Sequence, residues 1–428
     1  MNNLPHPASG ATFRGYGCRD LHKAIFDSEA PEQVIRQLPP QALFMVVRHL
    51  GLNGAADIIS LASIEQVRLL SDFDLWNRDV INEDHLWEWL ALTDETDSLD
   101  LLQKVVKCVD LKVLSVIISK YTDVRIFSEP TDQPPGPAYH TPDKGFTWVG
   151  ILTENADHHF LLARLLALIF ETSAELYYQL LSIPSVATPT MLEEESYVER
   201  GKRLAAEGVP EPEVAATVHA PYSLVEALGE LNQDIKKRDH VEDIRAVEPL
   251  LYESRASRYI AVLLRDIKDH EEIEMEFTYL MNAAVVRFSI DFCEQDRVLQ
   301  LADKVKGAIN IGFEKIASES KLSVKDIYSS LGLGRIYRVG LSELMALRAY
   351  ARKVEAAQLE QLRDKLKELA VVARVREPFP EMPLSLKDDG TLDDSGEVAG
   401  QISQESRAIE TMQAVTSLRS IIAPYISR

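Results

Sequence analysis

A short pattern that recurs at a spacing of roughly 23 residues constrains the fold of this chain more than any other feature. Between Ala30 and Ser119, each copy contains a short apolar stretch, a turn and an amphipathic stretch. The first copy covers 34–47, the second begins near Asp57, and a looser copy covers 105–118. One pair of short helices cannot bury its apolar face alone, so such copies must stack on one another. The pattern therefore predicts a helical array.

The turns inside the repeat contain residues that favour the start of a helix. The first copy has Pro39 and Pro40 at its turn, the second has Ser63, and the third has Asp110. Proline is tolerated at the first helical position because its missing N–H would have no partner there. Serine and aspartate side chains accept hydrogen bonds from the free amides of the first turn. Each turn is therefore predicted to end one helix and to begin the next.

Two resemblances accompany this pattern. The helix-pair style of the repeat resembles the superhelical N-terminal domain of MgtE magnesium transporters and, more distantly, the repeat helices of the flagellar rotor switch protein. Five further segments stand in a fixed order: LASIEQ at 61–66, DLW at 74–76, WEWL at 87–90, GKRLAAEG at 201–208 and EFTYLMN at 276–282. In this order they resemble a bacterial family of unknown function over about residues 20–350. Neither resemblance implies an activity or a functional residue.

Composition and local patterns divide the chain into five predicted regions. The chain has 428 residues, 46% of them hydrophobic, which suffices for two or three domains with substantial cores. Two β-rich stretches, 122–127 and 146–152, flank a proline-rich stretch at 130–142 that cannot be helical. The predicted regions are a tail at 1–19, the array at 20–120, a β-hairpin with a long loop at 121–153, an α-helical domain at 154–373, and an acidic flexible segment with a terminal helix at 374–428. The expected fold class is mainly α.

One predicted helix in the second helical region has two alternative roles. Leu341 to Ala373 carries leucines on roughly one side, and Ser342 suits its N-cap. This helix either packs within its own domain or forms an arm that pairs with another protomer. A homo-oligomer through 341–373 is therefore one prediction. Nearby, the Gly332-Leu333-Gly334 sequence indicates a helix-capping turn rather than a dinucleotide-binding loop, because Tyr337 occupies the position of the third glycine.

Charge and hydropathy argue against several classes of partner. A formal charge of −21 disfavours a nucleic-acid ligand, because phosphate binding needs a local surplus of Lys and Arg. The longest apolar stretch, 160–170, is interrupted by Arg164 and is shorter than the roughly 20 residues that span a bilayer. The first twenty residues lack the apolar core of a secretory signal, so a cytoplasmic location is expected. Cys18, Cys108 and Cys293 are widely separated, which favours reduced, buried thiols.

The sequence contains no recognisable catalytic motif, and we predict neither catalytic residues nor a cofactor. Two metal-like arrangements stand out. His270 and Glu274 lie one turn apart on a predicted helix, a spacing that can hold a divalent ion. His158 and His159 follow Asp157, which suits the N-cap of the next helix. The alternatives are an exposed acidic helix at the first place, and a cap with one half-buried imidazole at the second; His140 in the proline-rich loop is a further candidate ligand.

The aromatic group Trp76, Trp87 and Trp89 allows two interpretations. Tryptophan is enriched at binding hot spots, and it is also a frequent core residue. Trp87 and Trp89 are two positions apart and cannot share a helix face, which favours core packing. The function expected from the sequence is that of a soluble helical-repeat protein that binds another protein or regulates it. The alternative is a metal-dependent sensor or enzyme with a site near His158, His159 and His270.

Overall fold

A computed structural model of the protein describes residues 16–95, 104, 106–182, 188–231, 249–253, 258–362, 365–392 and 405–426. The described fold is mainly α, with small sheets of two or three strands, which confirms the predicted fold class. The chain forms two compact units. One is Leu21–Ala206, and the other is Glu207–Arg428 together with Met1–Asp20. Residues 1–15 of the predicted tail and 393–404 of the predicted acidic segment lie outside the described residues.

The first unit consists of helices, a three-stranded sheet and a two-stranded sheet. After α1 (Cys18–Phe26), its helices are α2 (Pro31–Gln37), α3 (Pro40–Leu50), α4 (Ala56–Leu61), α5 (Ile64–Asp74), α6 (Glu83–Glu95), α7 (Leu111–Tyr121), α8 (Ala156–Thr172), α9 (Ala174–Ser182) and α10 (Pro189–Ala206). Helix α2 packs against α4, and α3 packs against α5. The first two repeat copies therefore form two stacked helix pairs.

A single glutamine joins these two helix pairs. Ser63 is the N-cap of α5: its hydroxyl accepts from the Gln66 amide, and the Gln66 side chain accepts from the Ser63 amide. The same Gln66 side chain donates to the backbone oxygens of Ile35 (2.7 Å) and Leu38 (2.8 Å) at the end of α2. At the third copy, Asp110 caps α7 by accepting from the Lys112 amide. The helix starts predicted at Ser63 and Asp110 are confirmed.

The predicted β-hairpin is confirmed and is larger than expected. Strand β3 (Thr122–Ile126) pairs antiparallel with β5 (Thr147–Ile151), with Thr122 opposite Ile151, and a short strand β4 (Tyr139–His140) pairs with the other edge of β5. Two small sheets outside this region were not predicted. They pair β1 (Trp76–Asn77) with β2 (Val80–Ile81), and β6 (Glu381–Pro383) with β7 (Ser406–Ala408).

The second unit is built around two long helices. Its helices are α11 (Pro212–Val218), α12 (Leu224–Leu231), α13 (Pro249–Glu253), α14 (Arg258–Asp266), α15 (Glu271–Arg287), α16 (Gln295–Ser320), α17 (Val324–Ala351), α18 (Ala356–Gln361), α19 (Leu366–Val375) and α20 (Met412–Ile422). Helices α16 and α17 pack against each other at backbone contact, because a Cβ atom on Gly340 would collide with the Ala308 carbonyl and one on Gly312 with the Ile336 carbonyl. Their crossing forms the centre of this unit.

Helix α17 is kinked where the sequence predicted a capping turn. Gly332 has φ +69°, a left-handed value that favours glycine, and the helix resumes after it. The carboxylate of Glu276 on α15, which is buried, accepts from the Leu333 amide at this point. A buried glutamate therefore caps the second half of α17 and ties it to α15.

The prediction of a single long helix over Leu341 to Ala373 is wrong. Helix α17 ends at Ala351, and two shorter helices, α18 and α19, follow. The Arg376 guanidinium, which is far along the chain, donates to the backbone oxygens of Ala351 and Val354 and satisfies the helix end. Ser342 is also not an N-cap: it lies inside α17 and its hydroxyl donates to the Arg338 and Tyr222 carbonyls. Use of 341–373 in a homo-oligomer stays a prediction.

Three smaller features concern the terminal helix, the cysteines and the length of the apolar helices. The predicted terminal helix is present as α20, whose Thr411 N-cap accepts from the Ala414 amide. No disulfide joins the three cysteines; Cys18 and Cys108 are buried and Cys293 is half-buried. Among the described residues, no helix is both long and apolar enough to cross a membrane.

Candidate functional site

An apolar pocket with basic side chains at its edge opens in the Leu21–Ala206 unit. Its volume is about 510 Å³. The apolar part is lined by Val106, Val109, Leu111, Leu168, Ile169 and Leu176, and the edge is lined by Arg68, Lys107, Lys112 and Arg203, with Cys108, Asp110 and Thr172 between them. We call it the basic-rimmed pocket. It is assembled from α5, the third repeat turn, the end of α8, the start of α9, and α10.

The third repeat turn determines where the basic side chains stand. Because Asp110 caps α7, the helix starts at Leu111, and this leucine remains 37% exposed beside the pocket. The Asp110 carboxylate also lies 3.8 Å from the Arg203 guanidinium. Burial raises the thiol pKa of Cys108 to about 11, which keeps the thiol protonated, and its Sγ donates to the Ile64 carbonyl.

Two of the four basic side chains on the edge are neutralised within the unit. The Arg203 guanidinium makes two hydrogen bonds, of 2.6 and 2.7 Å, to the buried carboxylate of Asp72. The Lys112 ammonium lies 2.9 Å from carboxylate oxygens of both Glu195 and Glu199. These contacts raise the pKa of Lys112, chiefly through Glu199. Lys112 and Arg203 therefore hold α10 against the rest of the unit, and their charges are already paired with carboxylates.

The other two basic side chains carry charge that no described carboxylate balances. Arg68 is exposed and donates only to backbone oxygens, from Nε to Cys108 (3.4 Å) and from a terminal nitrogen to Lys107 (3.3 Å). Lys107 is exposed as well. In the part of the chain that the structure describes, neither side chain has a carboxylate within ion-pair distance. The edge of an apolar pocket thus carries two positive charges without an ion-pair partner among the described residues, in a chain of net charge −21.

A buried polar network lies elsewhere in the same unit and holds α3, α5 and α6 together. Asp74, whose side chain is 1% exposed, ends α5; its carboxylate lies 2.9 Å from the Arg48 guanidinium and accepts from Trp89 Nε1 at 2.8 Å. His85 Nδ1 lies 2.8 Å from the Asp74 carbonyl and 3.5 Å from its carboxylate. Burial alone would raise the pKa of Asp74, but the contacts with His85, Arg48 and Trp89 outweigh it and lower the pKa. The hydrogen bond to Asp74 in turn raises the pKa of His85.

This network explains one of the three tryptophans, and all three are core residues. Trp76, Trp87 and Trp89 are 2%, 5% and 1% exposed. The core interpretation of these residues is therefore confirmed, and the binding interpretation loses its basis because no ring face is accessible.

The two neighbouring histidines of the metal prediction lie at the start of α8. The N-cap of α8 is Asn155, whose side chain accepts from the amides of Asp157 and His158, so the N-cap predicted at Asp157 is wrong by two residues. The helix begins earlier because the asparagine side chain satisfies the amides of Asp157 and His158 in its first turn. The His158 ring stacks on Trp87, with ring centres 4.1 Å apart, and both His158 and His159 are half-buried. His140 is exposed on β4.

The other predicted pair, His270 and Glu274, belongs to the second unit. Tyr252 lies between them: its hydroxyl is 3.1 Å from His270 Nδ1 and 2.6 Å from Glu274 Oε1. His270 Nε2 lies 2.8 Å from the Leu264 carbonyl and 2.9 Å from the Ile267 carbonyl. Since carbonyls only accept, Nε2 carries a hydrogen and cannot ligate an ion in this arrangement.

The described ranges contain no group of three or more His, Cys, Asp or Glu side chains placed to hold a metal ion. His158 and His159 are in the first unit, whereas His270 and Glu274 are in the second. A metal at these four residues stays a prediction. Sequence reasoning missed the basic-rimmed pocket, although the basic residues beside Asp110 were visible in the sequence.

The fold and the pocket define a mainly α-helical protein with an open apolar pocket. Residues 16–391 match the model of the Family of unknown function (DUF6178), and the chain belongs to that family. No curated protein and no solved structure matches the chain. The resemblance to a family of unknown function is thereby confirmed, whereas no match supports the resemblance to the MgtE N-terminal domain.

Proposed function

We propose that Leu21–Ala206 is a protein-binding module, and that the basic-rimmed pocket takes an amphipathic, acidic segment of a partner protein. Apolar side chains of the segment lie on the apolar part of the pocket, and its carboxylates pair with Arg68 and Lys107. The observation that carries this proposal is a pair of positive charges, without an ion-pair partner among the described residues, at the edge of an apolar pocket in a strongly acidic chain.

The apolar contacts supply most of the affinity in this proposal. Burying one leucine-sized or phenylalanine-sized side chain is worth about 1.5–3 kcal/mol, whereas an exposed ion pair is worth about 1 kcal/mol or less. A pocket of about 510 Å³ accommodates a few such side chains and not a folded surface. The two basic side chains then select acidic partners and speed association, and they disfavour basic ones.

The position of the charges favours a peptide segment over a compact ligand. Arg68 and Lys107 are exposed at the edge, while the apolar residues Val106, Val109 and Ile169 are buried. Carboxylates that pair with the edge must therefore stand outside the apolar part. A chain that crosses the pocket provides both kinds of group at once, with apolar residues pointing inward and acidic residues beside them.

The test is selection of peptides from a randomised display library against the full chain, followed by fluorescence anisotropy of the enriched peptides. We expect peptides that combine leucine or aromatic residues with Asp or Glu. Lys107→Glu is expected to weaken their binding by about three- to tenfold, and Leu111→Asp by about tenfold or more. Lys202→Glu is the matched control, because Lys202 is exposed in the same unit and does not line the pocket.

Two further measurements sharpen the test. A peptide whose acidic residues are replaced with lysine should bind the Lys107→Glu variant more tightly than it binds the wild-type chain. Raising the salt concentration from 50 to 500 mM should weaken the wild-type complex, since exposed charges are screened. The proposal is refuted if the selected peptides carry no acidic residues, or if Leu111→Asp and Lys107→Glu bind them as tightly as Lys202→Glu does.

A further inference from the structure

A second pocket, in the Glu207–Arg428 unit, combines two arginines with a buried histidine. Its volume is about 390 Å³, and its lining includes His219, Arg287, Ser289 and Arg348 beside the apolar side chains of Phe288 and Met345. Nothing in the family match assigns a role to it, and it is independent of the peptide-binding pocket proposed above.

The histidine is held in one tautomer and has a free nitrogen. His219, which is 8% exposed, follows α11, and its Nδ1 lies 2.9 Å from the Ala215 carbonyl. A carbonyl only accepts, so Nδ1 carries the hydrogen. Burial lowers the pKa of His219 to about 4, and the ring is neutral at pH 7. Its Nε2 is therefore a bare acceptor, and this atom has no hydrogen-bond partner in the described part of the chain.

The surrounding rings fix the orientation of this imidazole. Tyr337 and Phe288 meet it edge to face, with ring centres 5.3 and 5.5 Å away. A buried polar atom that is held in place without a partner is unusual in a folded protein, because its lost hydration is not replaced. Nε2 itself is buried, and a ligand that enters the pocket lined by His219 and donates a hydrogen bond to Nε2 supplies the replacement.

Two arginines give the pocket its charge. Arg287 is the last residue of α15, is exposed, and has no ion-pair partner within the described ranges. Arg348 on α17 is half-buried; its Nε donates to the Arg376 carbonyl at 3.2 Å. Burial lowers the pKa of Arg348, and the positive charges of Arg352 and Arg287 lower it further, while Glu377 acts in the opposite direction. The positive charge of Arg287 also lowers the pKa of His219, so Arg287 acts electrostatically on both Arg348 and His219.

We propose that this pocket binds a small organic anion that carries an O–H group. The anionic oxygens pair with Arg287 and Arg348, the O–H donates to His219 Nε2, and carbon atoms of the ligand contact Phe288 and Met345. Phosphate monoesters in their monoprotonated form and hydroxy acids share this chemistry. A neutral imidazole distinguishes them from fully deprotonated anions, which offer no hydrogen.

Inorganic phosphate and sulfate provide a matched pair of probes. They have nearly the same shape, but at pH 6 phosphate is largely dihydrogen phosphate and keeps O–H groups, whereas sulfate has none. We expect phosphate to bind the full chain at least about tenfold more tightly than sulfate in calorimetric titration, because only phosphate satisfies His219 Nε2. Phosphate should also shift the Nε2 resonance of His219 in histidine-labelled protein. Glycerol 3-phosphate, which adds carbon atoms and hydroxyls, should bind more tightly than inorganic phosphate.

Variants separate the pocket from general charge effects. Arg287→Gln should weaken phosphate binding by about tenfold, since a charge-assisted hydrogen bond is lost; because Arg287 is exposed, the variant is expected to keep its circular dichroism spectrum. Arg297→Gln is the control, an exposed arginine that does not line the pocket. Lys107→Glu in the other unit should bind phosphate as the wild type does, so that this proposal and the peptide-binding proposal can fail separately.

Four results would overturn the inference. Equal affinity for phosphate and sulfate would remove the role of the O–H group. Absence of binding of phosphate, sulfate and glycerol 3-phosphate at 20 mM would remove the anion site. Equal binding by Arg287→Gln and Arg297→Gln, or an unmoved His219 resonance, would place the anion elsewhere on the protein.

Discussion

Replacing Asp74 with asparagine tests whether the buried carboxylate at the end of α5 stabilises the first unit. In the wild type its two oxygens face two donors, the Arg48 guanidinium at 2.9 Å and Trp89 Nε1 at 2.8 Å. An amide of the same shape has one oxygen and one NH₂ group. One of the two donors would therefore face another donor, in a place where the side chain is 1% exposed.

The expected loss follows from these two contacts. A hydrogen bond to a charged group contributes about 1.5–3 kcal/mol, and removal of one partner of a buried ion pair costs about 3–5 kcal/mol. Because Arg48 keeps partial access to water, with 21% of its side chain exposed, we expect the lower end of that range, about 3 kcal/mol. With a urea m-value of about 2 kcal/mol/M for a unit of this size, the urea midpoint should fall by about 1.5 M.

The position of the tryptophans provides a selective assay. The sequence contains four tryptophans, and all of them, Trp76, Trp87, Trp89 and Trp148, belong to Leu21–Ala206. Tryptophan fluorescence during urea unfolding therefore reports on this unit alone. The control is Asp79→Asn, at an exposed position in the same unit, where we expect a change within about 0.5 kcal/mol. A loss below 1 kcal/mol for Asp74→Asn, or an equal loss for Asp79→Asn, would refute the reasoning.

Two further predictions concern His85 in the first unit and the crossing of α16 and α17 in the second unit. Because Asp74 raises the pKa of His85 above its ordinary value of 6.5, the protonated form adds stability that is fully present below pH 6.5 and is lost as the pH rises through the raised pKa. The fluorescence-detected urea midpoint should therefore fall between pH 6 and pH 8.5 in the wild type and change less in His85→Gln; an equal fall in both would contradict this cause. In the second unit, Gly340→Ala should lower stability by about 2–3 kcal/mol, because the new methyl group would meet the Ala308 carbonyl. Gly334→Ala on the same helix, where the methyl group would meet nothing within 4 Å, should leave stability unchanged or raise it in thermal circular dichroism melts, and equal melting temperatures of the two variants would contradict the close crossing.

The parts of the fold that local sequence determines were predictable. Ser63 and Asp110 begin helices because their own side chains accept from amides two or three residues later, and the β-rich stretches on either side of the proline-rich loop pair with each other. The prediction failed where a distant residue decides. The helix predicted over Leu341 to Ala373 is interrupted after Ala351, where the Ala351 and Val354 carbonyls accept from Arg376, a contact that no periodicity within the helix reveals.

The candidate site was harder to predict for a related reason. The basic-rimmed pocket is formed by Arg68, by 106–112 and by residues of α8, α9 and α10, and each of these segments looks ordinary in isolation. Whether a basic side chain is balanced depends on partners far along the chain, as with Arg203 and Asp72, which are 131 positions apart. The state of His219 similarly depends on its burial and on the Ala215 carbonyl.

The crossing of α16 and α17 has a consequence for the order in which the second unit folds. The two helices are consecutive, and only residues 321–323 separate them, so the backbone contacts at Gly312 and Gly340 join positions close together along the chain. Contacts of low sequence separation lose little loop entropy and form quickly. We therefore expect 295–351 to act as the folding nucleus, protected first in pulsed hydrogen exchange, while α11 and α20, which lie before and after it along the chain, join afterwards.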